Sequence, residues 1–392
     1  MSGFTWDPAW RDERLTAACT DVRSGIVGAG REVLAETRST RDFARRGYAS
    51  ALLGALAAGT NLAELWVEDA PRNPDALLLA ARVQTARAAK ALRTNSNSAR
   101  PLVDGAVAAI HAAGAAWPAD PTPWVAMLAL VKNYRGDAAG EPSISELAGL
   151  RGPWELVEQG IWPRDPNNRE AARHLLDYFG PRSSGSNAQM AQIAAYLAQR
   201  SPQDSPVRLL PLAARIEAEP DPEAEAVAAA GRFNRLEQIN GLISVAAAEL
   251  QEVTSGTWRS QDGKLPPEST DLRARIAKLQ QVAKREEADL LAESSRFPYF
   301  LGQDLVELYD HWFLDSGAFD PRGPTGYVPL ADVSLLAHGL VLAGEIGYAA
   351  VLFRHLYPHA SRYPWSLYGE PEQVLEKTLR EVRDARGRPS PH

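Results

Sequence analysis

The chain has 392 residues, longer than the span over which one hydrophobic core usually keeps growing, so two or more units or a stack of repeats are expected. Apolar residues at 45% and charged residues at 23% exclude a disordered chain, and a net charge of −7 excludes a general nucleic-acid or anionic-membrane binder, which needs clustered positive charge. Cys19 is the single cysteine, which excludes an internal disulfide and a cysteine-based zinc site; with no signal-like start and no apolar run of membrane length, a cytoplasmic protein is expected.

Ala, Leu, Arg, Glu and Gln fill most periodic positions and alternating β-branched runs are missing, so the expected class is all-α. Residues 1–60 read as N-terminal helices separated by glycines around Gly25, Gly28 and Gly30. Thr40 reads as the cap of an amphipathic helix that carries Phe43, Tyr48, Leu52, Leu53 and Leu56 and ends at Gly59. Arg38, Arg41, Arg45 and Arg46 form the densest basic patch, read as a solvated helix face.

Residues 61–219 read as a helical repeat domain. An apolar residue or Trp closes one helix, a Pro-containing turn follows, and an Asp or Asn opens the next: Trp66 before Pro71 to Pro74, Trp117 before Pro118 to Pro121, Trp162 before Pro163 to Pro166, and Leu197 before Pro202. The leading prolines are 47, 45 and 39 residues apart. Proline removes the N–H that would continue a helix and suits the first turn of the next, so each unit reads as an antiparallel helix pair. Such a pair cannot bury both faces alone, which makes a stacked α-solenoid the expected architecture. The clearest unit is 162–217. There Asp165-Pro166-Asn167 opens a helix with the stripe Ala171, Ala172, Leu175, Leu176 and Phe179. Pro181 to Gly185 turns, Ser186 or Asn187 caps, and Met190, Ile193, Ala194 and Leu197 face inward before Pro202.

Residues 220–295 break this rhythm. Phe233, Leu236, Ile239, Ile243 and Leu250 form one stripe and Leu272, Ile276, Leu279, Ala283 and Leu290 a second, predicting a long inserted helical hairpin with the polar tip TSGTWRSQDGKLPPEST. Its stripes close on each other or on the body; as a protruding arm it is a candidate surface for a partner or for homo-oligomer formation. Residues 296–392 read as an aromatic-rich C-terminal helical unit ending in a capping helix from Glu372 to Ala385.

No phosphate loop, dinucleotide glycine fingerprint, HExxH, CxxC or GxSxG element occurs, so no catalytic residue, metal or cofactor is assigned. Two clusters carry some chemistry. His311 and Asp315 share a helix face at metal-ligand spacing, and with His355 and His359 they would line a pocket between the C-terminal helices; the plainer reading is a polar helix face. The stretch FRHLYPHASRYPWSLYG places Arg362 beside Tyr363 and Trp365, which suits stacking on a ligand or a protein hot spot; the plainer reading makes these aromatics core.

The words AARHLLDYFGPRSSGSNAQMAQIAAYLAQRSPQDSPVRLLPLAARIE, LWVEDAPRNPDALLLAARV and SRYPWSLYGEPE resemble a family of uncharacterised actinobacterial proteins with tetratricopeptide-like helical repeats. That resemblance implies a scaffold that binds a protein or peptide on a concave face. The residues expected to carry binding are Arg182, Trp258, Arg362, Tyr363 and Trp365, and the alternative expectation is a small-ligand protein or enzyme using the C-terminal pocket.

Overall fold

The computed structural model describes residues 4–94, 96, 98–132, 152–183, 185–218, 222–255, 267–295, 302–313 and 327–386, with side chains omitted at 222–235, 267–268, 286–295, 302–303 and 385–386. The described chain is all-helical, with no strand beyond one isolated bridge, Thr5 to His359. It divides into two compact units, one formed by 1–218 with 299–392 and the other by 219–298. No single described helix is both long and apolar enough to cross a membrane.

The first unit begins with α1 (Glu13–Arg23), α2 (Gly28–Thr40), α3 (Phe43–Ala57), α4 (Leu62–Asp69), α5 (Pro74–Arg93), α6 (Ala99–Ala116) and α7 (Thr122–Val131). A short π-helical stretch, Leu156–Ile161, leads to α8 (Arg169–Phe179), α9 (Asn187–Arg200) and α10 (Leu210–Ala218). The second unit holds α11 (Pro222–Ser255) and α12 (Pro267–Ser295). The chain then re-enters the first unit with α13 (Gly302–Phe313), α14 (Leu330–Leu342), α15 (Ile346–Leu356) and α16 (Pro371–Arg386).

The helix starts follow the turn chemistry, with two shifts of register. The Asn73 side chain accepts the amides of Asp75 and Ala76, and Pro74 occupies the first helical turn. Ser186 accepts the amide of Gln189 at the start of α9. The cap of α3 is Asp42, which accepts from Arg45 N, and not Thr40; Arg41, in the left-handed region at φ 56°, separates the two helices. Likewise the cap of α8 lies one residue beyond Asn167, at Asn168, whose side chain accepts from Ala171 N.

Two apolar clusters fill the first unit. The smaller joins Leu15, Val22, Leu34, Leu53, Trp66 and Leu79 under the first five helices. The larger runs from Ile110 and Leu128 through Leu175, Leu176, Met190 and Leu212 to Leu336, Leu352 and Trp365, and it includes Trp10. Successive helices pack on each other, as in α1 with α2, α5 with α6 and α10 with α9. A linear stack would join only sequence neighbours. Here the ends also meet: Thr5 N donates to Pro358 O at 2.8 Å, Ala360 N donates to Thr5 O at 3.0 Å, and Arg11 donates to the His355 carbonyl at 2.7 Å.

Close approach of α3 to α5 depends on Gly54. A Cβ there would lie 2.5 Å from Arg82 Cβ and 3.0 Å from its backbone carbon. Gly54→Ala is therefore expected to cost about 1–3 kcal/mol through overpacking, measurable as a lower urea midpoint with an unchanged slope.

In the second unit α11 and α12 pack against each other. Leu236, Ile239, Ile243 and Leu250 are half-buried and Ala246 is buried; on α12 Leu272, Ile276, Leu279 and Ala283 are half-buried. Leu242, Val245 and Val282 lie exposed outside those stripes.

Candidate binding cavities

Helix α8 is the electrostatic hub of the first unit. Its apolar side, Ala171, Ala172, Leu175 and Leu176, is buried, while its charged side points at other helices and not at bulk water. Arg169 pairs with Asp332 of α14. Glu170 receives a two-pronged bond from Arg82 of α5, at 2.8 and 2.7 Å. Arg173 meets Asp177 at 3.1 Å and also pairs with Glu217, which accepts from Tyr363 Oη at 2.9 Å; Lys132 reaches Asp177 at 2.6 Å. Burial opposes ionisation of Glu170, but the Arg82 guanidinium and His174 overcome it and bring its carboxyl down to about 2. For Asp332 burial outweighs Arg169 and its carboxyl is raised.

A cavity of about 280 Å³ opens beside this network, lined by Lys132, Arg173, Asp177, Arg182, Ser183 and Glu217 among others. Its inner charges are spent on one another. Arg182 lies exposed at its edge, on the turn closed by the Gly185 N to Gly180 O bond. That turn demands glycine, since a Cβ on Gly185 would sit 1.8 Å from Phe179 O. The polar cavity is thus a gap within an ion-pair network, and it offers little to a ligand beyond Arg182.

The second cavity, about 390 Å³, lies among α14, α15, α16 and the N-terminal segment. The Thr5 bridge seats Phe4 over it, with the Phe4 ring 6.3 Å from Tyr357. Phe353, Leu356, Trp365, Leu375, Leu379 and Val382 form an apolar wall. Ser334, Arg354, Tyr357, His359 and Arg383 also line the cavity. Ser334 is 1% exposed and its hydroxyl has no hydrogen-bond partner among the described residues, and the buried Nδ1 of His359 has none among them either. Burial and the neighbouring Arg11 hold the His359 imidazole below its usual pKa, against the pull of Asp7. Arg354 and Arg383 are exposed and have no ion-pair partner among the described residues.

The residues expected to carry binding do not converge. Trp365 is not a surface anchor: it is a fully buried side chain, set edge-on to His338 at 5.1 Å and near Phe353 at 6.0 Å, so only its cavity-lining edge meets open space. Tyr363 is half-buried under Arg173, 5.2 Å away, with its hydroxyl committed to Glu217. Arg362 is exposed and lies 6.0 Å from the Trp6 ring. Trp258 and Asp315 fall outside the described residues. His311 lines a separate hollow with Asp304 and Arg208, His355 packs 5.4 Å from Phe313, and His359 alone of the three reaches the apolar cavity. No group of three metal-ligating side chains occurs among the described residues.

Sequence reasoning missed Ser334 and His338, which sit on the unbroken apolar run of α14, where nothing marks which polar residue is orphaned. His338 Nε2 lies 3.0 Å from Tyr368 Oη, and burial lowers its pKa to about 4. A histidine kept neutral in the native state stabilises it fully above the unfolded value near 6.5, and that contribution is lost as pH falls toward 4. Relative to His338→Gln, the native protein is expected to lose about 2–3 kcal/mol between pH 7 and pH 4.5, read from urea unfolding of both at each pH.

Compared with known proteins, the chain matches no family model, no curated protein and no solved structure.

Proposed function

We propose that the chain is a binding protein built on tetratricopeptide-like helix pairs, and that its working site is the C-terminal cavity, which takes an apolar small molecule. The observation that carries this reading is the cavity of about 390 Å³ whose wall is formed by Phe353, Leu356, Trp365, Leu375, Leu379 and Val382. The wall itself offers the apolar enclosure expected of a small-molecule site.

Titration calorimetry with decan-1-ol tests it. Saturable one-to-one binding is expected, abolished by Ala350→Phe, which fills the cavity from α15. No binding, or undiminished binding to a folded Ala350→Phe, would overturn the reading.

A second reading, a scaffold that docks a protein, a peptide or a second copy, is favoured by Leu242, Val245 and Val282 standing exposed on the hairpin. Sedimentation of the full chain against a Leu242→Glu, Val245→Glu variant tests self-association. A concentration-dependent shift lost in the variant supports it, and a monomer at every concentration removes the second copy as occupant.

A further inference from the structure

The cavity's polar groups are unevenly distributed, and this asymmetry specifies the chemistry of its ligand. No carboxylate is among its described lining residues, whereas two arginines, Arg354 from α15 and Arg383 from α16, stand at the exposed part of its wall. Buried and half-buried arginines of this unit are matched by acids: Arg45 by Asp12 and Glu36, Arg46 by Asp75 and Asp120, Arg82 by Glu170, and Arg173 by Asp177 and Glu217. Arg354 and Arg383 have no such match among the described residues. The net charge of the chain is −7, so the whole-molecule field does not attract anions, and selection for a negative ligand must come from the local pair.

Resting on the reading of the cavity as a small-ligand site, we infer that the cavity takes an anionic amphiphile, a single apolar chain or ring system ending in a carboxylate. The apolar part lies against Phe353, Trp365, Leu375 and Leu379, and the acid group meets the guanidinium groups of Arg354 and Arg383. Arginine presents a planar donor fork that matches a carboxylate, and such charge-assisted bonds are about twice as strong as neutral ones. The cavity volume of about 390 Å³ accommodates a single medium-length chain.

The experiment is a matched titration of the full chain at pH 7.5 with decanoate, decan-1-ol and decylamine, repeated on Arg354→Gln, Arg383→Gln and the double variant. Decanoate is expected to bind at least roughly tenfold more tightly than the alcohol, with decylamine weakest, and the double variant is expected to remove the preference for the acid while leaving the alcohol unchanged. Both arginines are exposed, so the variants are expected to keep the wild-type melting temperature. Equal affinity for acid and alcohol would overturn the charge inference and leave the apolar site standing. Absence of binding by all three probes would overturn the site itself. A preference for decanoate that survives in the double variant would place the acid group elsewhere and also overturn the inference.

Discussion

Arg46→Met is expected to lower the unfolding free energy by about 3–5 kcal/mol, enough to leave a marginal domain partly unfolded at room temperature. Arg46 is 0% exposed, and its guanidinium meets Asp120 at 2.7 Å and Asp75 at 2.8 Å, donates to Leu34 O at 2.9 Å and lies 4.8 Å from the Trp117 ring. Asp75 keeps a second cation, Arg38 at 3.0 Å, but Asp120 has no other ion-pair partner among the described residues and is itself buried. Truncation therefore leaves a buried carboxylate without its cation, which costs far more than the pair itself contributes. Guanidinium chloride unfolding measures the effect, and adding Asp120→Asn to the variant should recover part of it. A loss under about 1 kcal/mol would mean that water reaches the pair.

Trp365→Ala is the second large effect, about 3–5 kcal/mol, because it removes a fully buried indole from the joint core of α14, α15 and α16. Trp365→Phe should cost much less. The same variant separates two accounts of this residue. A surface hot spot would lose partner binding with stability intact, whereas a core residue on a cavity wall loses stability first and alters the affinity for decan-1-ol with it.

Much of this architecture can be read from local pattern. The Asn73-Pro74 and Ser186 starts, the α8 stripe and both hairpin stripes follow from spacing and turn chemistry, because each involves residues within a few positions of one another. What escapes the pattern is long-range pairing. Arg45 and Arg46 look like part of a solvated basic face, yet they are buried because Asp12, Glu36, Asp75 and Asp120 converge on them from four other segments. The closure of Thr5 onto Pro358 and Ala360 likewise leaves no periodic trace, since it is made by main-chain atoms of two irregular segments. Trp365 misleads for a related reason. It stands in the short turn Trp365–Leu367, where no helical or strand period tells which way a side chain points. Ser334 and Arg383 become a site only through tertiary packing, which sets a hydroxyl of one helix and a guanidinium of another around the same space.

The central claim is that the apolar cavity beside Trp365 holds the ligand, and the most direct measurement is the indole N–H NMR spectrum of the full chain during titration with decanoate. The Trp365 resonance, assigned by its disappearance in Trp365→Phe, is expected to shift in a saturable way while those of Trp66 and Trp117, which belong to the N-terminal part of the first unit, stay in place. An unmoved Trp365 resonance at saturating decanoate, or an equal shift of all three, would contradict the account.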